Sequence, residues 1–456
     1  MTVQPRPYQT DAIEAVRGEM RKGHLRVVLV APTGSGKTVI GSEVARAANA
    51  KGSRVLWLAH RTELINQSCC ALERLGLDVG AVAADAAWQP RPEALVQVAS
   101  IQTLLARNVR PPADLLIWDE CHHASEAAEE WAKILEDYKD VRTLGLTATP
   151  ERGDGSGLAP LFTGLAVAAT VRWLTEQGFL VPCEIARPDA VLEPGHIAQH
   201  PLAAYKQHAP GQQGFLFAPS VEEAERYAEE FTAAGIRTVC VHAKTKRDLR
   251  DAAIAAFRYG AVRLLSNVFV FTEGVDLPMA SACILARGAS TAGSYLQMVG
   301  RVLRTHPGKK RATLIDLRGI SHIHGPPEDE RVYSLDGRGI SRAEAKCKVC
   351  GGLIVEYPCP QCGYAPEAGE GEDAHTEIDG VSVNKFHRKL QESPQQREET
   401  LERWIVSALM KGHNPKTACY RYKGCYGEWP PAFERCLARA ELRANALQVH
   451  RGGRVA

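Results

Sequence analysis

The sequence of 456 residues has no long apolar run and no cysteine pattern typical of secreted proteins. It contains neither the run of about 18 uncharged apolar residues that marks a membrane-spanning helix nor a basic start followed by a shorter apolar stretch. Of the 13 cysteines, four form two CxxC pairs and the others are scattered, unlike a disulfide framework. We therefore expect a soluble, cytoplasmic protein with reduced thiols and no membrane partner.

The net charge is small, and no residue class is extreme. A formal net charge of +2, with 24% charged and 45% hydrophobic residues, is ordinary for a globular protein. This balance does not exclude nucleic acid as a partner, because a basic face can be offset by acidic residues elsewhere. The length exceeds that of one compact core, so we expect two large domains with appendages.

Short apolar runs alternate with helical stretches from about residue 25 to 145, and the same rhythm restarts at "GQQGFLFAP". Strands that are apolar on both sides and are joined by helices are typical of parallel sheets covered on both faces. The sequence therefore predicts an α/β fold with two such domains in tandem, residues 1–181 and 182–320.

The rest of the chain differs in character. Residues 321–345 are polar and irregular, residues 346–366 are rich in cysteine, and residues 367–380 are acidic. Helical patterning returns in residues 381–456, where fourteen Lys or Arg stand against seven Glu. We predict, in this order, a connector, a small metal-bound module, a flexible linker and a basic helical C-terminal domain.

The segment "APTGSGKT", residues 31–38, follows an apolar strand directly and opens a helix. Gly34 and Gly36 allow successive backbone N–H groups to point at a polyphosphate, Lys37 can reach its terminal phosphates, and Thr38 can bind Mg²⁺. A glycine turn with an incidental lysine is the alternative. The strand and the helix favour a nucleotide-binding loop formed by Pro32, Thr33, Gly34, Ser35, Gly36, Lys37 and Thr38.

In the stretch "LLIWDECHHAS", residues 115–125, five consecutive residues with possible metal-binding or catalytic side chains follow an apolar run. Neighbouring side chains of a strand point to opposite faces, so these groups lack the spacing of a zinc site. A strand-end acidic pair after a phosphate loop instead favours nucleotide hydrolysis: Asp119 would hold Mg²⁺, and Glu120 would orient and deprotonate the attacking water. A purely structural strand end is the alternative, and we interpret Cys121 and His123 as bystanders.

Arg301 and Arg304, in "QMVGRVLR", are three residues apart and would share one face of a helix. Planar guanidinium groups stabilise the charge that develops on a transferring phosphoryl group. These arginines belong to the second predicted domain and the phosphate loop to the first, so we expect the nucleotide to bind between the domains. A solvated helix face is the alternative for such a pair taken alone.

Four motifs together resemble a known family. "APTGSGKT", "DECH", "LTATP" and "QMVGRVLR", in this order, resemble motifs I, II, III and VI of the superfamily-two DEAD/DEAH-box helicases, in the XPB-type group that includes bacterial and phage members with a C-terminal zinc module. The resemblance covers residues 1–365 and implies two RecA-like domains, ATP with Mg²⁺, and 3′ to 5′ movement on DNA. Cys121 departs from the commoner alanine or glutamate of the family.

The resemblance also implies roles for single residues. Gln9 in "RPYQ" would recognise adenine with Arg6 or Tyr8 beside it. His122, Thr147 and Thr149 would couple the ATP site to nucleic acid. The other implied roles are catalysis for Gln297 with the two arginines, nucleotide contact for Gly274 and Asp276, and nucleic-acid contact for Arg61, Gln102, Thr103 and Thr272.

Two CxxC pairs form a knuckle pattern in residues 346–366, and each pair is followed by glycine. Four thiolates in two knuckles fit tetrahedral Zn²⁺, and so small a module would depend on the metal for its folding. Redox chemistry or iron ligation is the alternative. We predict structural Zn²⁺ bound by Cys347, Cys350, Cys359 and Cys362.

The basic C-terminal domain contains "NPKTACYRYKGCYGEWPPAF", which interleaves cationic and aromatic residues. Cations can bind phosphates while aromatic rings stack on bases. A small helical domain with an aromatic core is an equally good interpretation. Cys419, Cys425 and Cys436 lack metal-ligand spacing, so we expect core thiols.

These expectations converge on an ATP-dependent helicase or translocase, a monomer that acts on DNA rather than RNA. Within this class, an RNA-directed helicase or a translocase that moves on duplex DNA without strand separation remains open. A nucleotide-gated nucleic-acid clamp with a zinc ribbon is the alternative from another class. A nuclease subunit is disfavoured because the chain offers no nuclease constellation.

Overall fold

The computed structural model describes residues 4–336 except 85–87, 89, 126–127, 153–155, 160 and 193–194. Beyond residue 336 it describes 345–346, 353–354, 376–377, 384–386 and scattered positions between 398 and 441. The chain forms two compact units, residues 1–385 and 386–456. The first unit contains both α/β sheets.

Strands and helices alternate through the first α/β domain. The elements, in chain order, are α1 (Pro7–Arg21), β1 (Arg26–Val30), α2 (Lys37–Asn49), β2 (Val55–Ala59), α3 (Thr62–Arg74), β3 (Val79–Val82), β4 (Val96–Ser100), α4 (Ile101–Ala106), β5 (Leu115–Asp119), a 3-10 helix (Cys121–Ser125), α5 (Ala128–Asp137), β6 (Arg142–Thr147), β7 (Gly164–Val167) and α6 (Val171–Glu176).

The seven strands of this domain pair in parallel in the order β3-β4-β2-β5-β6-β1-β7. Successive residues of β1 enter two cores on opposite faces: Val27 and Leu29 belong to one, and Val28 and Val30 to the other. This two-sided burial explains why the strands are continuous apolar runs. It also places the loops after β1, β2 and β5 at one edge of the sheet.

The second α/β domain repeats the pattern. Its elements are β8 (Cys183–Arg187), β9 (His196–Ile197), α7 (Pro201–His208), β10 (Gly214–Phe217), α8 (Val221–Ala233), β11 (Thr238–Val241), α9 (Arg247–Arg258), β12 (Leu264–Asn267), a 3-10 helix (Val270–Thr272), β13 (Ala282–Leu285), α10 (Ala292–Gly300), β14 (Ala312–Asp316) and α11 (Ile320–His324). The six parallel strands of its sheet are ordered β11-β12-β10-β13-β14-β8. The predicted α/β class with two parallel-sheet domains is confirmed.

Short strands follow the second α/β domain: β15 (Ala345–Lys346), β16 (Leu353–Ile354), β17 (Thr376–Glu377) and β18 (Asn384–Phe386). β15 and β16 pair antiparallel on either side of the first CxxC pair. The four predicted zinc ligands lie outside the described residues, so the zinc site stays a prediction. The predicted domain limits also stay predictions.

The second unit has an apolar core of Leu401, Ile405, Cys436 and Ala440. Arg439 Nε lies 3.0 Å from Glu402 Oε2 beside this core. Cys419 and Cys436 are buried, as expected for core thiols, whereas Cys425 lies outside the described residues. Among the described residues of the chain, no helix combines the length and apolar character needed to cross a membrane.

Candidate active site

The loop between β1 and α2 has the backbone of a phosphate-binding loop. Gly34 and Gly36 have φ angles of 88° and 85°, in the left-handed region that residues with a Cβ atom rarely adopt. A Cβ atom on Gly36 would also lie 2.5 Å from Nε2 of Gln9. α2 begins at Lys37 without a side-chain cap, so its first backbone N–H groups are available to an anion.

Residues at the start of α1 form hydrogen bonds to this loop. Gln9 Nε2 donates to the carbonyl oxygen of Ser35 at 3.0 Å, and the Tyr8 hydroxyl donates to the same oxygen at 2.6 Å. The Arg6 backbone N–H donates to Gln9 Oε1 at 2.9 Å, and its guanidinium lies 4.8 Å from the centre of the Phe179 ring. Gln9 therefore supports the loop directly, while the adenine contact implied for it remains a prediction.

The acidic pair at the end of β5 lies against the same loop. Glu120 has a φ of 50°, which turns the chain out of the strand, and its Oε1 lies 3.3 Å from Lys37 Nζ. Asp119 Oδ1 accepts a hydrogen bond from the Glu120 backbone N–H at 3.1 Å. Burial, and then the charge of Glu120, raises the pKa of Asp119 to about 7, although Lys37 opposes this shift.

These two carboxylates carry more negative charge than Lys37 offsets. Both side chains are buried, and Oε2 of Glu120 makes no hydrogen bond to the described residues. A buried charge without compensation is costly, and carboxylate oxygens are the ligands that Mg²⁺ prefers. The donor set therefore fits Mg²⁺, and the predicted part of Thr38, which lies in the first turn of α2, remains a prediction.

His122 connects several motifs. Its Nδ1 lies 3.1 Å from Thr147 Oγ1, and its Nε2 lies 2.9 Å from Gln297 Nε2. The Thr147 hydroxyl in turn donates to the carbonyl oxygen of Thr149 at 2.6 Å. A side chain next to the acidic pair thus contacts β6 in its own domain and α10 in the other, which is the arrangement that a coupling residue requires.

Arg301 and Arg304 lie close together, but the prediction that they share one face of a helix is wrong. α10 ends at Gly300, so Arg301 caps the helix and Arg304 lies beyond it, where it bridges to Leu180. They meet at one acceptor instead: Nη1 of Arg301 and Nη1 of Arg304 donate to the carbonyl oxygen of Val275 at 3.1 and 3.2 Å. Helical spacing is therefore not what brings them to the site.

Each arginine is fixed by the segment after β12. Arg301 Nε donates to the carbonyl oxygen of Thr272 at 2.7 Å, and Arg304 Nη1 donates to Asp276 Oδ1 at 2.5 Å. Burial, and then the charge of Arg304, lowers the pKa of Arg301 to about 10, so it stays charged at neutral pH. Gly274, between these acceptors, has a φ of 76°.

The arginine segment touches the phosphate loop. A Cβ atom on Gly34 would lie 3.1 Å from Arg304 Cγ, and one on Gly300 would lie 2.5 Å from Thr33 Cβ. The second domain therefore closes directly on the loop of the first domain. The nucleotide site predicted between the domains has components from both.

A cavity of about 300 Å³ continues from this site between the domains. Of the predicted nucleic-acid contacts, Arg61 and Thr272 line it, although Thr272 is largely buried and its hydroxyl donates to the Phe269 carbonyl oxygen at 2.8 Å. Gln102 and Thr103 lie at the start of α4 instead, where Ser100 caps the helix. The four roles remain predictions.

Sequence reasoning missed Glu273 and His60 and misjudged His123. Glu273 is buried, and its Oε1 lies 2.7 Å from Nε2 of His123 and 3.3 Å from Nε2 of His122. Its Oε2 lies 3.3 Å from Nε2 of His60. His123, interpreted from the sequence as a bystander, therefore contacts a buried carboxylate of the second domain. The sequence feature that could have revealed this cluster is the position of "AHRTEL", "DECHH" and "FTEGVDLP", because each segment stands at the end of a strand of a parallel sheet.

The fold and the site define a two-domain P-loop ATPase in which the second domain supplies arginines to the phosphate loop of the first. Residues 2–152 match the family described as type III restriction enzyme, res subunit, and residues 197–306 match the helicase conserved C-terminal domain. The chain belongs to the superfamily-two DEAD/DEAH-box helicases, in their XPB-like group, and is an ATP-hydrolysing enzyme of that class.

Individual relatives match most of the chain. A protein of Lactococcus phage (isolate 7-9), described as a 51.5 kDa protein, is 31% identical over 455 residues, or 92% of this chain and 96% of the relative. The DNA 3'-5' translocase XPB2 of Sulfurisphaera tokodaii is 24% identical, covering 69% of this chain and 81% of its own.

Solved structures support the fold. The structure described as ATP-dependent Type ISP restriction-modification enzyme LlaBIII bound to DNA superposes with a TM-score of 0.54 at 17% identity, covering 70% of this chain and 28% of that one. At that identity the likeness concerns the fold alone, which is RecA-like in both domains.

Proposed function

We propose that the protein is a motor that translocates 3′ to 5′ on DNA and separates strands at the expense of ATP. The observation that carries the proposal is the close approach of the Arg304 stem to Gly34, where a Cβ atom would lie 3.1 Å from Arg304 Cγ. Because this contact joins the two domains at the phosphate loop, binding and loss of a nucleotide there must change how the domains meet.

The residues of the cleft support in-line attack of water on the γ-phosphate. Lys37 and the N–H groups of the loop would hold the phosphates, and Glu120, next to Lys37, would orient and deprotonate the water. Mg²⁺ at Asp119 and Thr38 would neutralise phosphate charge. Arg301 and Arg304 would stabilise the charge that develops on the phosphoryl group.

Gln297, His122 and Thr147 would carry the nucleotide state to the cavity between the domains. Gln297 contacts His122 across the cleft, and His122 contacts Thr147 in the strand end of the first domain. Thr149, two residues further on, lines the cavity together with Arg61. A change at the phosphate therefore has a hydrogen-bonded route to the surface where a nucleic-acid backbone would bind.

DNA and the 3′ to 5′ direction are supported by similarity to relatives rather than by contacts. The archaeal relative is named a DNA 3'-5' translocase. An RNA-directed helicase, a duplex translocase that separates no strands, and a nucleotide-gated clamp are the alternatives that experiment must exclude. We also propose that the protein acts as a monomer and that its Cys347, Cys350, Cys359 and Cys362 bind structural Zn²⁺.

Steady-state ATPase assays with single-stranded DNA, duplex DNA, forked DNA and RNA test the proposal. We expect stimulation by DNA, and we expect Glu120→Gln to abolish turnover while it retains nucleotide binding. Glu136→Gln, at an exposed residue of α5 whose Oε1 lies 3.4 Å from Lys139 Nζ, is the matched control and should behave as wild type. Absence of stimulation by any nucleic acid would exclude the motor.

Direction and strand separation need separate measurements. Displacement of streptavidin from the 5′ end of a single strand, faster than from the 3′ end, is expected for 3′ to 5′ movement. Release of a labelled strand from a fork would establish strand separation. Nucleotide-dependent DNA binding without displacement or strand release would favour the clamp.

A further inference from the structure

His60, His123 and Glu273 form a compact cluster at the edge where the two sheets face each other. His60 directly follows β2, and His123 lies in the 3-10 helix after β5. β2 and β5 are neighbours in the first sheet, so the two imidazoles come together, with ring centres 4.1 Å apart. Glu273 follows the 3-10 helix after β12 and reaches them from the second domain.

From this arrangement we propose that His60, His123 and Glu273 bind a divalent transition-metal ion, of the Zn²⁺ class, between the two α/β domains. One donor atom from each residue can be chosen so that all lie within 4.8 Å of one another. The 3.3 Å from His60 Nε2 to Glu273 Oε2 is close to the separation of about 3.4 Å expected between ligands of tetrahedral Zn²⁺. His123 Nε2 and Glu273 Oε1 share a hydrogen bond at 2.7 Å, which a bound ion would replace.

The side-chain types suit a transition metal. Two imidazoles and one carboxylate form a donor set that Zn²⁺ accepts in proteins.

The hydrogen bonding of the cluster is incomplete without a further partner. Both ring nitrogens of His60 and Oε2 of Glu273 are buried and make no hydrogen bond to the described residues. Buried polar groups normally have a partner. A cation between them would satisfy Oε2 of Glu273 and one nitrogen of His60. His123 and Glu273 also line the cavity of about 300 Å³, so a fourth position would be open to water.

The cluster is separate from the proposed Mg²⁺ site because it uses none of that site's residues. Its special feature is that its ligands come from both domains. A bound ion would therefore hold the domains in their closed arrangement and would have to be released, or lose Glu273, whenever the cleft opens. Occupancy is expected to slow DNA-stimulated ATP turnover, whatever the direction of movement.

Zinc titration of the metal-free, full-length protein against a chromogenic chelator tests the proposal. The predicted cysteine site also binds Zn²⁺, so the measured quantity is the difference between variants. We expect wild type to bind one equivalent of Zn²⁺ more than His60→Gln and His123→Ala. Affinity at this site should fall at least about 100-fold in each variant, since removal of a ligand weakens metal binding more than removal of a residue that only hydrogen-bonds to a ligand. His306→Ala, on an exposed residue, is the control and should match wild type.

A second readout makes the result independent of folding defects. Co²⁺ should give a visible absorption difference between wild type and His60→Gln that lacks a thiolate charge-transfer band, and thermal unfolding without metal should show that His60→Gln remains folded. Equal stoichiometry in folded wild type and folded His60→Gln would overturn the proposal. It would show that the cluster is a histidine–carboxylate contact only, and would leave the ATP-driven motor untouched.

Discussion

At the scale of single residues, backbone conformation decides what the phosphate loop can contain. Gly36 has a φ of 85°, and its missing side chain leaves room for Gln9, whose Nε2 would lie 2.5 Å from a Cβ atom. Gln9 uses this space to bond the carbonyl oxygen of Ser35. One glycine therefore serves both the turn of the loop and its support by α1.

Comparison of Gly36→Ala with a second glycine variant should separate the loss of loop support by Gln9 from ordinary backbone strain. The left-handed conformation costs about 1–2 kcal/mol for a residue with a Cβ atom, and Gly52→Ala, at a φ of 78° with no atom within 4 Å, is the control that carries this cost alone. We expect both variants to lose stability in urea unfolding, Gly36→Ala more than Gly52→Ala because its Cβ atom would displace Gln9, and only Gly36→Ala to lose ATP affinity in fluorescence titration. Equal ATP affinity in the two variants would contradict this account of the loop.

The contact between His122 and Gln297 can be tested as an energetic coupling. Both are buried, and they meet across the cleft at 2.9 Å. We expect His122→Ala and Gln297→Ala to reduce DNA-stimulated kcat/KM, and the double variant to lose less than the sum, with a coupling of about 0.5–3 kcal/mol. Gln199 and Gln207, which bond at 3.1 Å on the exposed surface, form the control pair and should show additive, near-zero effects.

At the scale of elements, much of the fold could be predicted because its strands are buried on both faces. The apolar runs, the helices between them and the glycine loop all correspond to elements of the structure. The position of Arg304 could not be predicted from the sequence. The only sequence signal for the end of α10 is Gly300 itself, and the bridge from Arg304 to Leu180 joins segments that are distant along the chain. Glu273 was missed for the same reason, since its partners His60, His122 and His123 come from the segments after β2 and β5 of the other domain.

Packing of α2 on the first sheet gives an element-scale prediction. A Cβ atom on Gly41 of α2 would lie 2.7 Å from Cη2 of Trp57 in β2, and Trp57 is fully buried. Overpacking of this kind costs about 1–3 kcal/mol, so Gly41→Ala should lower stability in chemical denaturation. Gly18→Ala in α1, where nothing lies within 4 Å, should instead raise stability by about 0.5–1 kcal/mol. Stabilisation by both variants would show that α2 can shift on the sheet at little cost.

At the scale of the whole motor, contacts far from the nucleotide also hold the two α/β domains together. Arg250 of α9 lies 2.8 Å from Glu63 of α3, and Gln67 of the same helix donates to the carbonyl oxygen of Gly274. α3 begins within "AHRTEL", and Gly274 belongs to the segment that fixes both arginines. The closed cleft is therefore supported at α3 as well as at the phosphate loop.

Breaking the Arg250–Glu63 pair should shift the balance toward the open cleft without touching the ATP site. The Glu63 side chain is 41% exposed, so the pair is worth about 0.2–1 kcal/mol, and Arg250→Glu should raise the apparent KM for ATP about two- to fivefold through a smaller closed population. Glu63→Arg combined with Arg250→Glu should restore it, because the opposite charges again face each other. Arg247→Glu is the control, because Arg247 lies beside Asp251 on the same helix and its replacement changes the net charge equally within one domain. A rise in KM equal to that of Arg250→Glu would mean that charge alone, rather than the interdomain pair, is responsible.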